Sequence, residues 1–123
     1  MTFLSGNRIH TRLGFGTWPL GGEATLAGVN IGYPPLERQA ALAAVRRALE
    51  LGVSFFDTAD IYGRGTAEEL LGEALAGRRE SCIICTKFGN RENADGRRYA
   101  DFSESWLRQS IEGSLRRLRT DYL

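Results

Sequence analysis

The sequence predicts an α/β fold built from repeated strand–helix units. Two short apolar runs, V-S-F-F from Val53 and C-I-I-C from Cys82, each break abruptly into polar residues. Runs of this kind mark buried parallel strands. Their polar ends, Asp57 and Lys87, lie about thirty residues apart, the length of one βα unit, so the strands are expected to be neighbours. Between and after them come amphipathic stretches with helix start and stop signals.

Each element has a local reason. Residues 2–11 hold Ser5-Gly6-Asn7 between β-tolerant pieces and predict a hairpin. Residues 12–16 predict the first strand, where Gly14 and Gly16 leave room for a neighbouring backbone or a ligand. Residues 19–35 are Gly-rich and without periodicity, which predicts a long loop. Residues 36–51 predict a helix, preceded by Pro34-Pro35 and closed by Gly52, with Ala41, Val45, Ala48 and Leu49 as its apolar stripe. Residues 54–57 are the second strand. T-A-E-E at Thr66 offers a capping box to Glu69 and opens a second helix that buries Leu70, Leu71, Ala74 and Leu75 before Gly77 ends it. Residues 82–87 are the third strand and residues 88–102 a second polar loop. Ser103 caps a third helix reaching about Leu118, with Leu107, Ile111, Leu115 and Leu118 on one face. Tyr122-Leu123 would open a fourth strand.

Composition excludes several function classes. Sixteen basic residues stand against 15 acidic ones, so nothing points to nucleic acid or an anionic membrane. The Arg-rich end, Arg116 to Arg119, fits a solvated helix face. No apolar run approaches the ~20 residues that span a bilayer, and the amino terminus lacks a signal-peptide core, so a cytoplasmic location is expected. Cys82 and Cys85 fall in a predicted strand without a second pair, which argues against a zinc site and for two buried thiols. No metal is expected. Gly63-Arg64-Gly65 imitates a dinucleotide fingerprint, but Glu68 puts negative charge where a pyrophosphate would approach; these are read as turn residues.

The chemistry gathers at one sheet end. A carboxylate ending a buried strand needs a cationic partner, and Lys87 on the neighbouring strand supplies one for Asp57. Tyr62 follows on the adjoining turn. A phenol beside an ammonium gains a better-stabilised phenolate and becomes a stronger general acid. Without further information, an Asp–Lys pair that merely joins two strands explains the spacing equally well.

F-D-T-A-D-I-Y-G from Phe56 and T-K-F-G from Thr86 resemble the aldo-keto reductases. L-G-F-G-T-W from Leu13, E-E-L-L-G-E-A-L from Glu68 and S-L-R-R-L-R-T-D-Y-L from Ser114 extend the resemblance along nearly the whole chain. It implies the first three βα units of a (β/α)8 TIM barrel, with the hairpin beneath it and the start of strand four, as a single partial domain over residues 1–123. It implies catalytic Asp57, Tyr62 and Lys87, with Gly16, Thr17, Trp18 and Asp57 beside NADPH (NADP). The implied reaction reduces a small aldehyde or ketone to an alcohol. The family's fourth catalytic residue, a His beyond a D-Y-L-type segment, has no counterpart, since the one histidine is His10. A complete barrel needs roughly 250 residues. The chain is therefore expected to be an amino-terminal portion, inactive alone and prone to self-association through exposed strand edges. The same residues would serve a non-catalytic NADPH-binding module like the channel-associated β subunits, or a half-barrel oligomer.

Overall fold

The computed structural model describes residues 13–123; the expected amino-terminal hairpin and His10 lie outside the described residues. Strands β1 (Phe15–Gly16), β4 (Phe55–Asp57) and β5 (Ile83–Cys85) form a parallel sheet in the order β1-β4-β5. Helix α1 (Arg38–Glu50) connects β1 to β4, α2 (Thr66–Ala74) connects β4 to β5, and α3 (Glu104–Leu118) follows β5. This is the βα succession that the two polar-ended apolar runs predict.

The strands alternate between two unlike faces. Phe56 pairs in register with Phe15 on one side and Ile84 on the other. That row points into a core with Ala41, Leu42 and Val45 of α1 and with Leu70, Leu71, Ala74 and Leu75 on and just beyond α2. Burying a side chain such as Phe56 or Leu71 contributes roughly 1.5–3 kcal/mol each. The neighbouring row, Gly16, Asp57 and Cys85, is also in register, and its face is only partly covered by described residues. The core thus fixes the strand register, and the register sets Asp57 at the sheet end on the open face.

Helix α3 packs on α2, but not through the expected leucines. Of Leu107, Ile111, Leu115 and Leu118 only Leu118 is buried, and Ile111 is 41% exposed. The contact stripe is instead Ser110, Gly113, Ser114 and Leu118. Small side chains let the two helix backbones approach: a Cβ on Gly72 would sit 2.6 Å from the Leu118 carbonyl carbon. On α1, Leu42 rather than Leu49 completes the buried stripe. The capping box is also absent. Gly65, in a left-handed conformation, is the α2 cap, and the Thr66 hydroxyl donates back to the Gly63 carbonyl. Ser103 does cap α3, its oxygen accepting from the Trp106 amide at 3.3 Å.

Both expected long loops are ordered hairpins. In the first, a 3-10 turn (Trp18–Gly21) leads to β2 (Thr25–Leu26) and β3 (Val29–Asn30), joined by Ala27-Gly28 with φ of +52° and +73°. Paired positive φ values are those of a tight two-residue hairpin, which usually selects Asn-Gly; Ala27 disguised it. In the second, β6 (Asn90–Glu92) and β7 (Arg98–Ala100) flank a turn in which Asn93 Oδ1 accepts from the Asp95 and Arg97 amides. The hairpins touch: the Ala27 amide donates to Glu92 Oε2 at 2.8 Å. Tyr122 and Leu123 make no strand pairing here; the Tyr122 ring lies beneath the Arg79 guanidinium at 4.0 Å, and its carbonyl accepts from Arg79.

Candidate active site

Parallel pairing of β4 and β5 brings their carboxyl ends together. Past that end, Lys87 Nζ donates to Asp57 Oδ1 at 2.6 Å and to the Thr58 carbonyl at 2.8 Å. It also lies 5.2 Å from the centroid of the Tyr62 ring. An ammonium has three donor directions, and two are used by these oxygens. Partial burial would lower the Lys87 pKa, but the hydrogen bond and charge of Asp57, with a smaller contribution from Tyr62, outweigh it and leave the group raised. Lys87 is therefore held charged across the neutral range. Its side chain is 47% exposed and that of Asp57 38% exposed, so the pair remains open to a third group.

Trp18 and Tyr62 arrive from different loops and are held together by glycine. The Trp18 ring stacks on Tyr62 at 5.5 Å between centroids and 12° between planes, with Tyr33 edge-on to it at 5.6 Å. Behind them the backbones of Gly21 and Gly63 cross so closely that a Cβ on Gly63 would fall 2.2 Å from the Gly21 carbonyl oxygen. Gly63 has φ of +59°, which also favours glycine. The Trp18 indole N–H donates to the Ile31 carbonyl at 2.8 Å, tying the ring to the first hairpin. Thr17 is fully buried and anchors the β1 end: its amide and hydroxyl both donate to the Asp57 carbonyl, at 2.9 and 3.0 Å. Gly16 lies beside Asp57 in the ladder, and a Cβ there would meet nothing within 4 Å.

A second polar cluster was not anticipated. Glu68, expected only as a charge hostile to phosphate, is fully buried on α2. Its Oε1 accepts from the Thr86 hydroxyl at 2.6 Å and its Oε2 from Arg117 Nε at 2.7 Å. Arg117 thus leaves the solvated face expected for residues 116–119. Burial, reinforced by the Glu68 charge and opposed by Arg117 and the Ile61 amide, pushes the Asp60 carboxyl up to about 6. The sequence signal was faint: Arg117 lies three residues from Ser114 and seven from Ser110, on the small-residue stripe. The cysteine reading needs one correction. Cys82 is buried, but Cys85 is exposed, because it shares the open-face row with Asp57. Among the described residues no group of His, Cys, Asp and Glu could hold a metal.

Residues 12–123 match the model of the Aldo/keto reductase family. The chain belongs to that family. It is 34% identical over 122 residues to the pyridoxine 4-dehydrogenase of Escherichia coli, covering 99% of this chain and 41% of that enzyme. An uncharacterized oxidoreductase of Bacillus subtilis, YqkF, is 43% identical over 89 residues, 71% of this chain and 29% of that protein. Among solved structures, a holo-form aldo-keto reductase from Bacillus halodurans superposes with a TM-score of 0.71 at 34% identity, covering 90% of this chain and 33% of that one. An aldo/keto reductase from Klebsiella pneumoniae, in complex with NADP and acetate, gives 0.65 at 31% identity, covering 89% and 32%. The aldo-keto reductase strands and helices described above are therefore units of a (β/α)8 barrel. The chain spans between 29% and 41% of the length of the two relatives. No described helix is long and apolar enough to cross a membrane.

Proposed function

We propose that this stretch carries the proton-donating half of an NADPH-dependent carbonyl reductase site. The observation that carries the proposal is the convergence of Asp57, Lys87 and Tyr62, with one ammonium bonded to the carboxylate at 2.6 Å and 5.2 Å from the centroid of the phenol ring. Gly16, Thr17, Trp18 and Asp57 would hold the nicotinamide end of the cofactor. The space over Gly16 and the exposed Trp18 ring fit a flat aromatic group. When bound, NADPH would supply the hydride that converts an aldehyde or ketone carbon to an alcohol carbon.

The chain's own residues manage the proton. As the carbonyl oxygen gains negative charge, the electron pair of the C=O π bond moves onto it and takes the Tyr62 hydroxyl proton, which forms the new O–H bond and leaves the C–O single bond of the alcohol. The resulting phenolate faces Lys87, whose positive charge stabilises it. Asp57 holds Lys87 protonated and fixed in direction. Solvent then returns a proton to Tyr62. Trp18, stacked on the phenol, limits its rotation and lines the approach to it.

The cofactor's phosphates would need groups that the described residues do not gather. We therefore expect no steady oxidation of NADPH by the 123-residue chain alone with an aldehyde such as nitrobenzaldehyde. The outer edges of β1 and β5 have no partner strand among the described residues, so association through them is expected, and a clean monomer by solution mass measurement would count against it. The function itself is tested in a chimera in which residues 12–123 replace the matching stretch of the Escherichia coli pyridoxine 4-dehydrogenase. The chimera should oxidise NADPH with an aldehyde, and Tyr62→Phe should slow it by about 10²- to 10⁴-fold with the fold unchanged. A Tyr62→Phe chimera as fast as its parent would refute the assignment. NADPH binding without turnover by a folded chimera would favour a binding module.

A further inference from the structure

Lys87 stands just past the end of β5, which stops at Cys85. Its ammonium reaches Asp57, but a lysine side chain is long and flexible. The ammonium is therefore placed no better than the backbone that carries it. On one side that backbone continues the pairing of the sheet. The Thr58 amide donates to the Cys85 carbonyl at 2.8 Å and the Asp60 amide to the Lys87 carbonyl at 3.1 Å. The other edge of β5 has no partner strand among the described residues.

A further hold comes through a side chain. The Thr86 hydroxyl donates to Glu68 Oε1 at 2.6 Å. That length lies in the range of charge-assisted O–H···O⁻ bonds, which are roughly twice as strong as neutral ones. Glu68 is fully buried, so water does not compete for the oxygen. Its other oxygen takes Arg117 Nε at 2.7 Å. Arg117 reaches it along a lane kept clear by glycine. A Cβ on Gly65 would lie 2.6 Å from Arg117 Cδ, and one on Gly113 3.0 Å from Arg117 Nη1. Nη2 of the same guanidinium donates to the Ser114 hydroxyl at 3.4 Å. The carboxylate is thus fixed from α3 and in turn fixes Thr86.

Joining α2 to α3 takes Glu68 and Arg117 alone. It does not account for the second bond, which leaves the helix pair and ends on the residue next to Lys87. Thr86 and Lys87 reach different ways, one back to α2 and the other across to Asp57. A rotation of Thr86 would carry the Lys87 Cα with it.

We propose that Glu68 is a positioning residue for Lys87: through the Thr86 hydroxyl it sets the backbone from which the ammonium meets Asp57 and Tyr62. The proposal rests on the reading of Asp57, Lys87 and Tyr62 as the proton-donating site. Neither Glu68 nor Thr86 takes part in the proton transfer itself.

The test removes the Thr86 hydroxyl and leaves the Arg117–Glu68 pair in place. Lys87 is the only lysine of the chain, so ¹³C-lysine labelling gives a single side-chain signal. Thr86→Val changes no charge, so any change in the Lys87 titration reports geometry. It should bring the Lys87 pKa down toward the ordinary lysine value. Thr86→Ala, which cannot overpack, should do the same, and Thr86→Ser, which keeps the hydroxyl, should restore the parent titration. In the chimera Thr86→Val should lower kcat by about tenfold and leave KM within about twofold, with Thr86→Ser again restoring the parent. A Thr86 that serves stability alone would lower the urea midpoint and leave both the Lys87 titration and kcat unchanged. That result, or a Thr86→Ser variant that behaves like Thr86→Val, would overturn the proposal. Tyr62→Phe and Asp57→Asn test the underlying reading separately. If Tyr62→Phe stops turnover and Asp57→Asn lowers the Lys87 pKa while Thr86→Val does neither, the site stands and the positioning role is wrong. If Tyr62→Phe leaves turnover intact, the proton-donor reading falls, and the Lys87 titration in Thr86→Val still decides whether Glu68 places Lys87.

Discussion

Two ion pairs of nearly equal length sit in opposite surroundings in this molecule. Lys87–Asp57 is 2.6 Å long with side chains 47% and 38% exposed; Arg117–Glu68 is 2.7 Å long with exposures of 27% and 0%. Distance does not separate them, but solvent does. An exposed pair is screened and adds roughly 0–1 kcal/mol to stability. A buried pair contributes modestly as a whole, yet breaking it strands a charge in a poor solvent. The pair that holds α2 to α3 is therefore the dry one, and the pair that meets Tyr62 is the wet one. Under the proposed function the wet pair would stand where a substrate enters; the dry pair excludes water from the helix contact.

The sharpest way to break the comparison is to remove one cation from each pair. Arg117→Ala leaves the fully buried Glu68 carboxylate with only Thr86 and should destabilise the chain by about 3–5 kcal/mol in urea unfolding. Lys87→Met should change the same unfolding free energy by less than about 1 kcal/mol, while abolishing turnover in the chimera. Equal losses would mean that burial does not divide the two pairs.

Asp60 gives an intermediate effect and a pH signature. Its raised pKa means that the folded state holds a proton more tightly than the unfolded chain. The associated stability is fully present below the ordinary aspartate value and is lost as pH rises through about 6. Asp60→Asn should therefore match the parent near pH 4 and exceed it above pH 6, by on the order of 1–2 kcal/mol, since solvent screens a partly exposed carboxyl. A constant difference across that window would assign the effect to packing instead.

A smaller effect separates geometry from charge. Gly63→Ala drives a Cβ into the Gly21 carbonyl at a residue with positive φ. It should destabilise by at least about 1 kcal/mol and part Trp18 from Tyr62. The parting would appear as a change in Trp18 fluorescence, measured with Trp106 replaced by Phe. Unchanged stability and fluorescence would show that the glycine crossing does not hold the aromatic stack.

The same contrast explains what was legible in the sequence. Asp57 and Lys87 announce themselves because each interrupts an apolar strand run at a fixed βα spacing. Phe56 and Ile84 share that run, so the sheet and its covered face were legible too. Glu68 sits in an ordinary helical stretch, and its partner is 49 residues away on an element whose inward face is serine and glycine. Hydrophobic periodicity chose the leucines of α3 and missed that face, because close backbone approach, not apolar bulk, joins α2 to α3. The two hairpins were hidden for a related reason. Their strands are two or three residues long and carry no alternation; turn geometry and Glu92, not a pattern, fix them. Tyr62 was found by its place after Asp57, whereas its support by Trp18 rests on a glycine crossing that only coordinates reveal.

The central claim is that Asp57 holds Lys87 charged next to Tyr62, and it can be read without any turnover. The direct measurement is an NMR titration of Lys87 through its side-chain ε-carbon in the parent chain, in Asp57→Asn and in Tyr62→Phe. The account predicts that Lys87 titrates above the ordinary lysine value in the parent, falls clearly in Asp57→Asn and falls slightly in Tyr62→Phe. A Lys87 that titrates at or below the ordinary value in the folded parent, or that ignores both substitutions, would contradict it.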